Sequence, residues 1–471
     1  MTMPRSLAGA RVLIANWRDP WHPEAGGAER YAWEMALALT ARGAVVRFLT
    51  ARGAGQSRGE HRDGIEIIRR GGRFTVYPLA LGWLLARRRQ ADIVLDCQNG
   101  IPFFTPIVLP RRVPVLFVMH HVHTAQFGVH FPAWMAGVGR LLEGPASRLA
   151  YRRHGCVAVS PSTISAMHDR VRWTGAVYLI PNGTPAPSLP PGALPPGEVP
   201  GPPSTAGQGP VAGRPRLAWI GRLVAHKRAE LLVPLAARGF TIDVVGRGPG
   251  ADALSAAIDA AKRSPAGLAG AVTMHGYLPE EAKNAILAGV LLHLNTSQGE
   301  GWGLVVLEAA ALGVPTIAYD VEGLRDAIRD GQTGWLVRDG EDLADVVERA
   351  VKELEDPGRR AEVAAACRDW AGQLSWQRAT DRMAEMVEAC LRLGTSRGNR
   401  AGAWVVSGPE SGGTVAEGPV LDLLVASGGV ITRPATPAER LIGTVLDETV
   451  PGDVPGEVST IPSPADSEMP R

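Results

Sequence analysis

Short apolar runs recur along the chain, each closed by glycine, proline or charge. In the first half they cover residues 11–16, 45–49, 65–69, 93–96, 113–119 and 155–160. In the second half they cover 216–220, 240–245, 272–274, 290–294 and 315–319. Runs of this length, apolar on both faces, read as buried strands of a parallel sheet. Longer amphipathic segments lie between them. One helix follows Arg30 through Thr40 and is stopped by Arg42-Gly43, an apolar one covers 77–85, and others begin at Asp342, Pro357 and Ser375-Trp376, the last reaching about Leu393. Strand and helix alternate through two separate blocks, which predicts an α/β protein with two doubly wound domains. Two stretches break the rhythm. Residues 185–215 are dense in proline and glycine and predict a linker or solvated insertion. Residues 394–471 are rich in Gly, Pro, Ser and Thr, with apolar patches such as 420–425, and predict a largely disordered tail.

Composition narrows this picture without changing it. The chain has 471 residues, 45% hydrophobic and 20% charged, enough for two packed domains. A net charge of +2 gives no reason to expect a nucleic-acid partner. The four cysteines, Cys97, Cys156, Cys367 and Cys390, lack metal spacing and suit a reduced, cytoplasmic protein. The first ten residues are too short and polar for a signal peptide, and no apolar run has the length of a membrane span. The 77–85 helix runs into Arg87-Arg88-Arg89. Such a helix can lie on the inner face of an anionic membrane as a peripheral contact. It equally suits a core helix whose basic end matches its dipole, and its short length favours that reading.

The candidate chemistry gathers on the stretch from Ser297 to Pro315. An apolar strand precedes it, and Gly299, Gly301 and Gly303 form a turn that lets backbone approach a ligand. A Leu-, Val- and Ala-rich helix then runs to Gly313, with Pro315 beyond. Free N–H groups at the start of such a helix suit a phosphate. Glu300 in the turn and Glu308 in the helix could accept hydrogen bonds from sugar hydroxyls. A plain solvated turn fits the pattern equally well. Arg222 and Lys227 follow the 216–220 strand and offer a guanidinium fork and a point charge to phosphate, or a solvated loop. Gly26 and Gly27 open the first helix in a strand–loop–helix unit, but the G-x-G-x-x-G fingerprint is absent, which argues against an NAD enzyme. The 113–119 strand ends in His120-His121-Val122-His123, at the crevice end of a parallel sheet. No further Cys or His at ligand spacing follows, so a zinc site is disfavoured.

Glu300 and Glu308 stand seven residues apart, and this E-x7-E stretch resembles the signature of retaining glycosyltransferases of family 4. The resemblance covers roughly residues 10 to 393 and is densest from 216 to 338, where the Arg222–Lys227 pair and the glycine turn recur as a set. It implies the GT-B fold, two Rossmann-like domains facing a cleft. Residues 1–184 would form the acceptor-side domain and 216–375 the nucleotide-sugar-binding domain, with a helix over 376–393 crossing back. It implies hexosyl transfer from a nucleotide-diphospho-sugar, with no other cofactor and no metal. The acceptor would be a glycan, a lipid-linked molecule or a secondary metabolite. By residue, Glu300 would contact the donor sugar, Glu308 the ribose, and Arg222 and Lys227 the diphosphate. Gly26, Gly27, Trp302, Gly303 and Leu304 would lie on the donor side. His120 would meet the transferred sugar from the first domain, while His121 stands where many members have Asp. His226-Lys227-Arg228 replaces the more usual Glu-Lys-Gly. A sugar-nucleotide epimerase of the same fold, a pyridoxal-phosphate phosphorylase, and a non-catalytic partner protein are the other readings. The chain is too short for the phosphorylase, and the full set of charged residues disfavours the partner.

Overall fold

A computed structural model describes residues 6–124, 127–130, 132–173, 177–189 and 215–393, together with three short strands beyond them. The first domain is built on eight strands. They are β1 (Arg11–Ala15), β2 (Val45–Thr50), β3 (Gly59–Arg62), β4 (Ile65–Arg69), β5 (Ile93–Gln98), β6 (Val115–Met119), β7 (Gly155–Ala158) and β8 (Val177–Leu179). Their spatial order is β3-β4-β2-β1-β5-β6-β7-β8. Neighbours run parallel except at the edge, where β3 pairs antiparallel with β4. That edge strand has no apolar pattern. Its signal is the two-residue turn Asp63-Gly64, with φ of 53° and 80°, a hairpin geometry that Asp-Gly favours.

The second domain carries β9 (Arg216–Ile220), β10 (Thr241–Val245), β11 (Ala271–Gly276), β12 (Leu292–Asn295), β13 (Thr316–Tyr319) and β14 (Gly334–Val337). Their order is β11-β10-β9-β12-β13-β14, all parallel. Each sheet reverses its strand order once, between β1 and β5 in the first and between β9 and β12 in the second. Loops leaving those strands at their carboxyl ends therefore line a crevice. The loops after β1, β6, β9 and β12 carry every site residue the sequence singles out except Glu308, which lies one helix turn further in.

Helix Trp376–Leu393 returns to the first domain. Trp376, Met383, Val387 and Leu391 are buried in that domain's core. Thr184 N–H donates to the Leu374 carbonyl at 2.6 Å, and Arg42 pairs with Asp381. Gly183 is required at this crossing, because a Cβ there would lie 2.3 Å from Trp376 Cα.

An element absent from the strand-and-helix pattern is a helical rod. It runs through Ala133–Leu141, a π-helical turn at Leu142–Ala146, and Ser147–Tyr151. Pro145 lies inside that turn; it lacks an N–H and cannot keep the ordinary i−4 hydrogen bond, so the helix widens locally. The tail also departs from expectation in part. Trp404–Ser407, Thr414–Ala416 and Val430–Pro434 pair as a three-stranded antiparallel sheet, in segments that carry Val, Ile, Thr and Trp. Residues 190–214 of the linker and 420–425 of the tail lie outside the described residues.

Candidate active site

The second domain's wall is built from two loops tied together. The Gln298 N–H donates to the His226 carbonyl at 2.9 Å, and Thr296 Oγ1 donates to the Lys227 carbonyl at 2.5 Å. Trp219 Nε1, from β9, donates to the same Thr296 hydroxyl at 2.9 Å. Arg228 takes the left-handed conformation, φ 49°, at the position where glycine is usual in the resembling motif. Its Nε donates to the Thr296 carbonyl at 2.8 Å, and its guanidinium stacks 4.0 Å from the Tyr319 ring. Those contacts offset the cost of a side chain at positive φ, so the loop keeps its course without the glycine.

The ion pairs follow from that scaffold. Lys227 Nζ is paired with Glu300, and Ser297 Oγ donates to the same carboxylate at 3.1 Å. Burial alone would raise the Glu300 pKa, but the Lys227 ammonium and the Ser297 hydroxyl outweigh it, so the carboxyl is held below its ordinary value. Glu308 is only 8% exposed and is held from two directions. Lys283 Nζ reaches Oε2 at 2.7 Å, and Arg30 Nη1, from the first domain, reaches Oε1 at 3.4 Å. Burial would lower the Lys283 pKa; Glu308, with Glu280, raises it on balance. Arg222 is exposed and forms no ion pair among the described residues.

Three glycines fix the turn. Gly303 has φ 88°, and a Cβ there would lie 2.8 Å from Leu324 Cδ2. Gly323 has φ 79° and lies so close to the turn that a Cβ would fall 2.3 Å from the Glu300 carbonyl oxygen. Gly301 faces the other domain, with a Cβ position 2.7 Å from the His120 carbonyl oxygen.

The first domain's wall begins at the glycine pair. The Gly26 N–H donates to Glu29 Oε2 at 2.7 Å, closing a cap on helix Gly27–Ala41. Burial raises the Glu29 pKa, and Arg18 opposes that only in part. The Gly27 Cβ position lies 3.0 Å from Leu304 Cδ1, so this loop rests on the start of helix Leu304–Ala311. Arg18 is tied to Glu24 at 2.9 Å and lies over the Trp17 ring at 3.8 Å. Its pKa is lowered, first by burial; Arg222 across the cleft adds to the lowering. Two guanidiniums thus share one electrostatic neighbourhood from opposite walls.

The two histidines have different surroundings. His120 is 5% exposed, edge-on to the buried Tyr31 ring at 5.1 Å, and its Nε2 has no hydrogen-bond partner among the described residues. Burial and the neighbouring His123 lower its pKa to about 3. His121 is the ring whose charge Glu300 influences, and its Cβ lies 4.0 Å from the Gly301 Cβ position. Burial, His123 and Arg170 still hold it to about 3. Side chains adjacent along a strand end point to opposite sides. The one that points inward is His120, and it finds Tyr31.

Trp302 is buried against Leu307 and Leu374. Across the cleft, the Ser162 N–H donates to Asp326 Oδ2 at 3.0 Å, and Arg170 pairs with Glu322. The structure thus gathers Arg222, Lys227, Glu300, Glu308, Gly26, Gly27, Gly303 and Leu304 along one cleft. It adds Arg18, Arg30 and Lys283, for which no local motif in the sequence was a guide, and places beside them Ser297 and His121 from stretches the sequence singles out.

Two parallel-sheet domains with their ligand-side loops opposed across a cleft define the GT-B architecture. Among solved structures, sucrose-phosphate synthase from Thermosynechococcus elongatus superposes with a TM-score of 0.63 at 19% identity, covering 80% of this chain and 98% of that one. The Anabaena protein HepE in complex with UDP and glucose superposes at 0.59 and 18% identity, covering 81% and 100%. Residues 25–186 match the model described as Glycosyltransferase Family 4, and residues 214–353 match Glycosyl transferases group 1. With each half matched in turn, the chain belongs with the family 4, group 1 glycosyltransferases. Two curated relatives are a 2-deoxystreptamine N-acetyl-D-glucosaminyltransferase from Streptomyces fradiae and a D-inositol 3-phosphate glycosyltransferase from Gordonia bronchialis. The first is 32% identical over 41% of this chain and 45% of its own length; the second is 34% identical over 38% and 42%. The matched part therefore spans less than half of either relative.

Proposed function

We propose that the protein is a retaining glycosyltransferase that moves a sugar from a nucleotide-diphospho-sugar to a hydroxyl acceptor. The observation that carries this reading is the grouping of Arg222, Lys227, Glu300 and Glu308 where both sheets reverse their strand order. Lys227 is paired with Glu300, and Lys283 and Arg30 with Glu308, while Arg222 is open. A donor exchanges those partners: its diphosphate takes Lys227 and the open Arg222, its sugar hydroxyls take Glu300, and its ribose takes Glu308. The bond between the anomeric carbon and the diphosphate oxygen then breaks. The acceptor oxygen bonds to the same face of that carbon, and its proton passes to a donor phosphate oxygen. Arg222, Lys227 and the start of helix Leu304–Ala311 stabilise the charge that grows on the leaving group, without reorganising in the transition state. They supply the positive charge at the diphosphate, so the reaction proceeds without a divalent ion. Both histidines remain neutral; His121 acts as a hydrogen-bonding group, and His120 supports the wall by packing against Tyr31.

The relatives' names point to small polyhydroxylated acceptors, 2-deoxystreptamine and D-inositol 3-phosphate, and a lipid-linked glycan is the other acceptor class we consider. The four cysteines are free thiols, in keeping with action in the reducing cytoplasm. No helix among the described residues is long and apolar enough to cross a membrane. A screen of UDP-, GDP- and ADP-sugars by thermal shift, followed by transfer assays with the stabilising donor, tests the proposal. A donor that raises the melting temperature and is consumed only with an acceptor supports it. Conversion of the donor to its epimer without an acceptor would replace transfer by epimerisation.

A further inference from the structure

The helix Val76–Arg87 turns Val76, Ala80 and Leu84 into the core, so it keeps only part of its apolar surface for a membrane. The helical rod does the opposite. Trp134, Val138, Leu141 and Leu149 are 72%, 48%, 56% and 64% exposed. They recur at spacings of four, three and eight, with exposed Pro145 between the last two, and so form a stripe along one side. Large apolar side chains in a row at this exposure mark an interaction surface.

What covers the stripe is indicated by its charge. Residues 132–173 contain six arginines and two carboxylates, and one of those carboxylates, Glu143, is buried and bonded to the His123 N–H at 2.7 Å. Arg140 and Arg148 of the rod line a pocket with Arg170 and Arg172, opening beside Pro145. Arg140 Nε donates to the Thr124 carbonyl and Arg148 Nη1 to the Arg172 carbonyl, both at 3.3 Å. Neither bond neutralises a guanidinium. Arg148 Nε is buried and has no hydrogen-bond partner among the described residues. Of these four arginines, only Arg170 has a carboxylate partner among the described residues, Glu322. An apolar stripe bordered by arginines matches the interfacial region of an anionic bilayer, where the ring and alkyl groups meet acyl chains and the guanidiniums meet phosphates.

We propose that this face docks the protein on an anionic phospholipid surface, with a lipid phosphate in the arginine pocket. Arg170 is also one of the groups acting on His121, which neighbours Glu300. A lipid-borne acceptor entering past the pocket would thus reach the cleft. That last link rests on the transferase reading; the docking does not.

The test is sedimentation of the full chain with phosphatidylcholine vesicles, with and without phosphatidylglycerol, following Trp134 by quenching with brominated lipid. Binding is expected only with phosphatidylglycerol and should weaken with salt. The surface variant W134S/L141S/L149S should keep its melting temperature and lose about a hundredfold in vesicle affinity. R148Q/R172Q should lose about tenfold. Absence of binding by the native chain overturns the proposal, as does equal binding by W134S/L141S/L149S or equal affinity for pure phosphatidylcholine. A native dimer that this variant dissociates, without vesicle binding, assigns the stripe to a second copy. Binding that appears only after removal of 394–471 assigns it to the tail. Protection by inorganic phosphate with no vesicle binding reduces the pocket to a free-anion site. Each of these three also overturns the lipid surface. Donor-induced thermal shift is read separately, so failure of docking and failure of the transferase reading are distinguishable.

Discussion

The two walls of the cleft are built on different physical terms. On the second domain, charge is matched by charge: Lys227 with Glu300 within loops pinned by backbone hydrogen bonds, and Glu308 with Lys283 between two helices. On the first domain, the groups near the cleft are held by packing. His120 lies against Tyr31, Gly27 against Leu304, and the Glu29 carboxylate closes a helix cap. One wall holds strong electrostatics that a ligand must exchange; the other presents shape and little free charge apart from arginines at the rim. A wall of the first kind suits a charged and invariant part of a substrate, and a wall of the second kind suits the part that varies.

The sharpest way to break that contrast is to remove Lys227. Lys227→Ala takes away the charge on the leaving diphosphate and leaves Glu300 buried without its cation. We expect turnover to fall by roughly 100- to 1,000-fold, as for loss of one transition-state donor. The fall should lie in kcat more than in acceptor KM, because that charge grows only as the bond breaks. Arg222→Ala should follow the same pattern. Full turnover in both variants would remove the diphosphate site from this wall.

Glu308 is a milder test, because the ribose contact proposed for it would exist in the ground state as well. Glu308→Ala should weaken nucleotide binding by about 2 kcal/mol, the scale of a charge-assisted hydrogen bond, read by calorimetry. The variant also takes one carboxylate from Lys283 and Arg30, leaving them only Glu280 and Glu34, so that phosphate could compete for them. A shift in preference toward more highly phosphorylated nucleotides would show that Glu308 restrains them. Unchanged nucleotide affinity would take the ribose off this residue.

How far these walls could be read from the sequence follows from the same difference. Strands such as 65–69 and 216–220 are recovered to the residue because continuous apolar runs are local signals. Arg222, Lys227, Glu300 and Glu308 were legible for a related reason, since each lies within a few residues of a strand end or glycine turn. Lys283 was not, because it reaches Glu308 from a different helix, and Arg30 reaches it from a different domain. The histidine surroundings were not legible, because alternation says that adjacent rings diverge without saying which one meets Tyr31. The packing of Trp302 was not legible either, because a tryptophan beside a glycine turn can face either the ligand or the core. The exposed rod was hidden by its apolar content, which reads as interior until the fold leaves it outside.

The histidines provide a test of the packed wall. We expect His121→Ala to lower transfer by about tenfold, the scale of one net hydrogen bond, and His120→Gln to act mainly on stability. The sign of the pH effect follows from linkage. His120 has a folded pKa of about 3 against an ordinary value of 6.5. Between those values the unfolded chain binds a proton that the folded chain refuses, so stability falls as pH drops through that window and is flat above it. His293, also buried and lowered to about 3, acts with the same sign. Melting temperatures across the window should therefore fall less steeply for His120→Gln than for the native chain. Parallel acid limbs would mean that His120 is not held neutral by the fold.

The smallest expected effect, none at all, bears on the charged wall from the other side. Divalent ions that bind sugar diphosphates prefer clustered carboxylate oxygens. The sequence contains no Asp-x-Asp, and the two carboxylates nearest the turn are already paired with lysines, Glu300 with Lys227 and Glu308 with Lys283. An added ion would have to displace a lysine to gain a carboxylate, and it would then compete with Arg222 for the same phosphate oxygens. Transfer should therefore continue unchanged in excess EDTA, and Mg²⁺ or Mn²⁺ should not raise it. The informative comparison is with Lys227→Ala. In that variant Glu300 becomes an unpaired carboxylate beside the diphosphate, a position where an ion gains an oxygen ligand. Partial rescue of Lys227→Ala by Mn²⁺, with the native enzyme indifferent to it, would show that the lysine fills the role of a metal. If instead EDTA stops the native enzyme and Mn²⁺ restores it, the positive charge on this wall is insufficient by itself, and the contrast between the walls loses its electrostatic half.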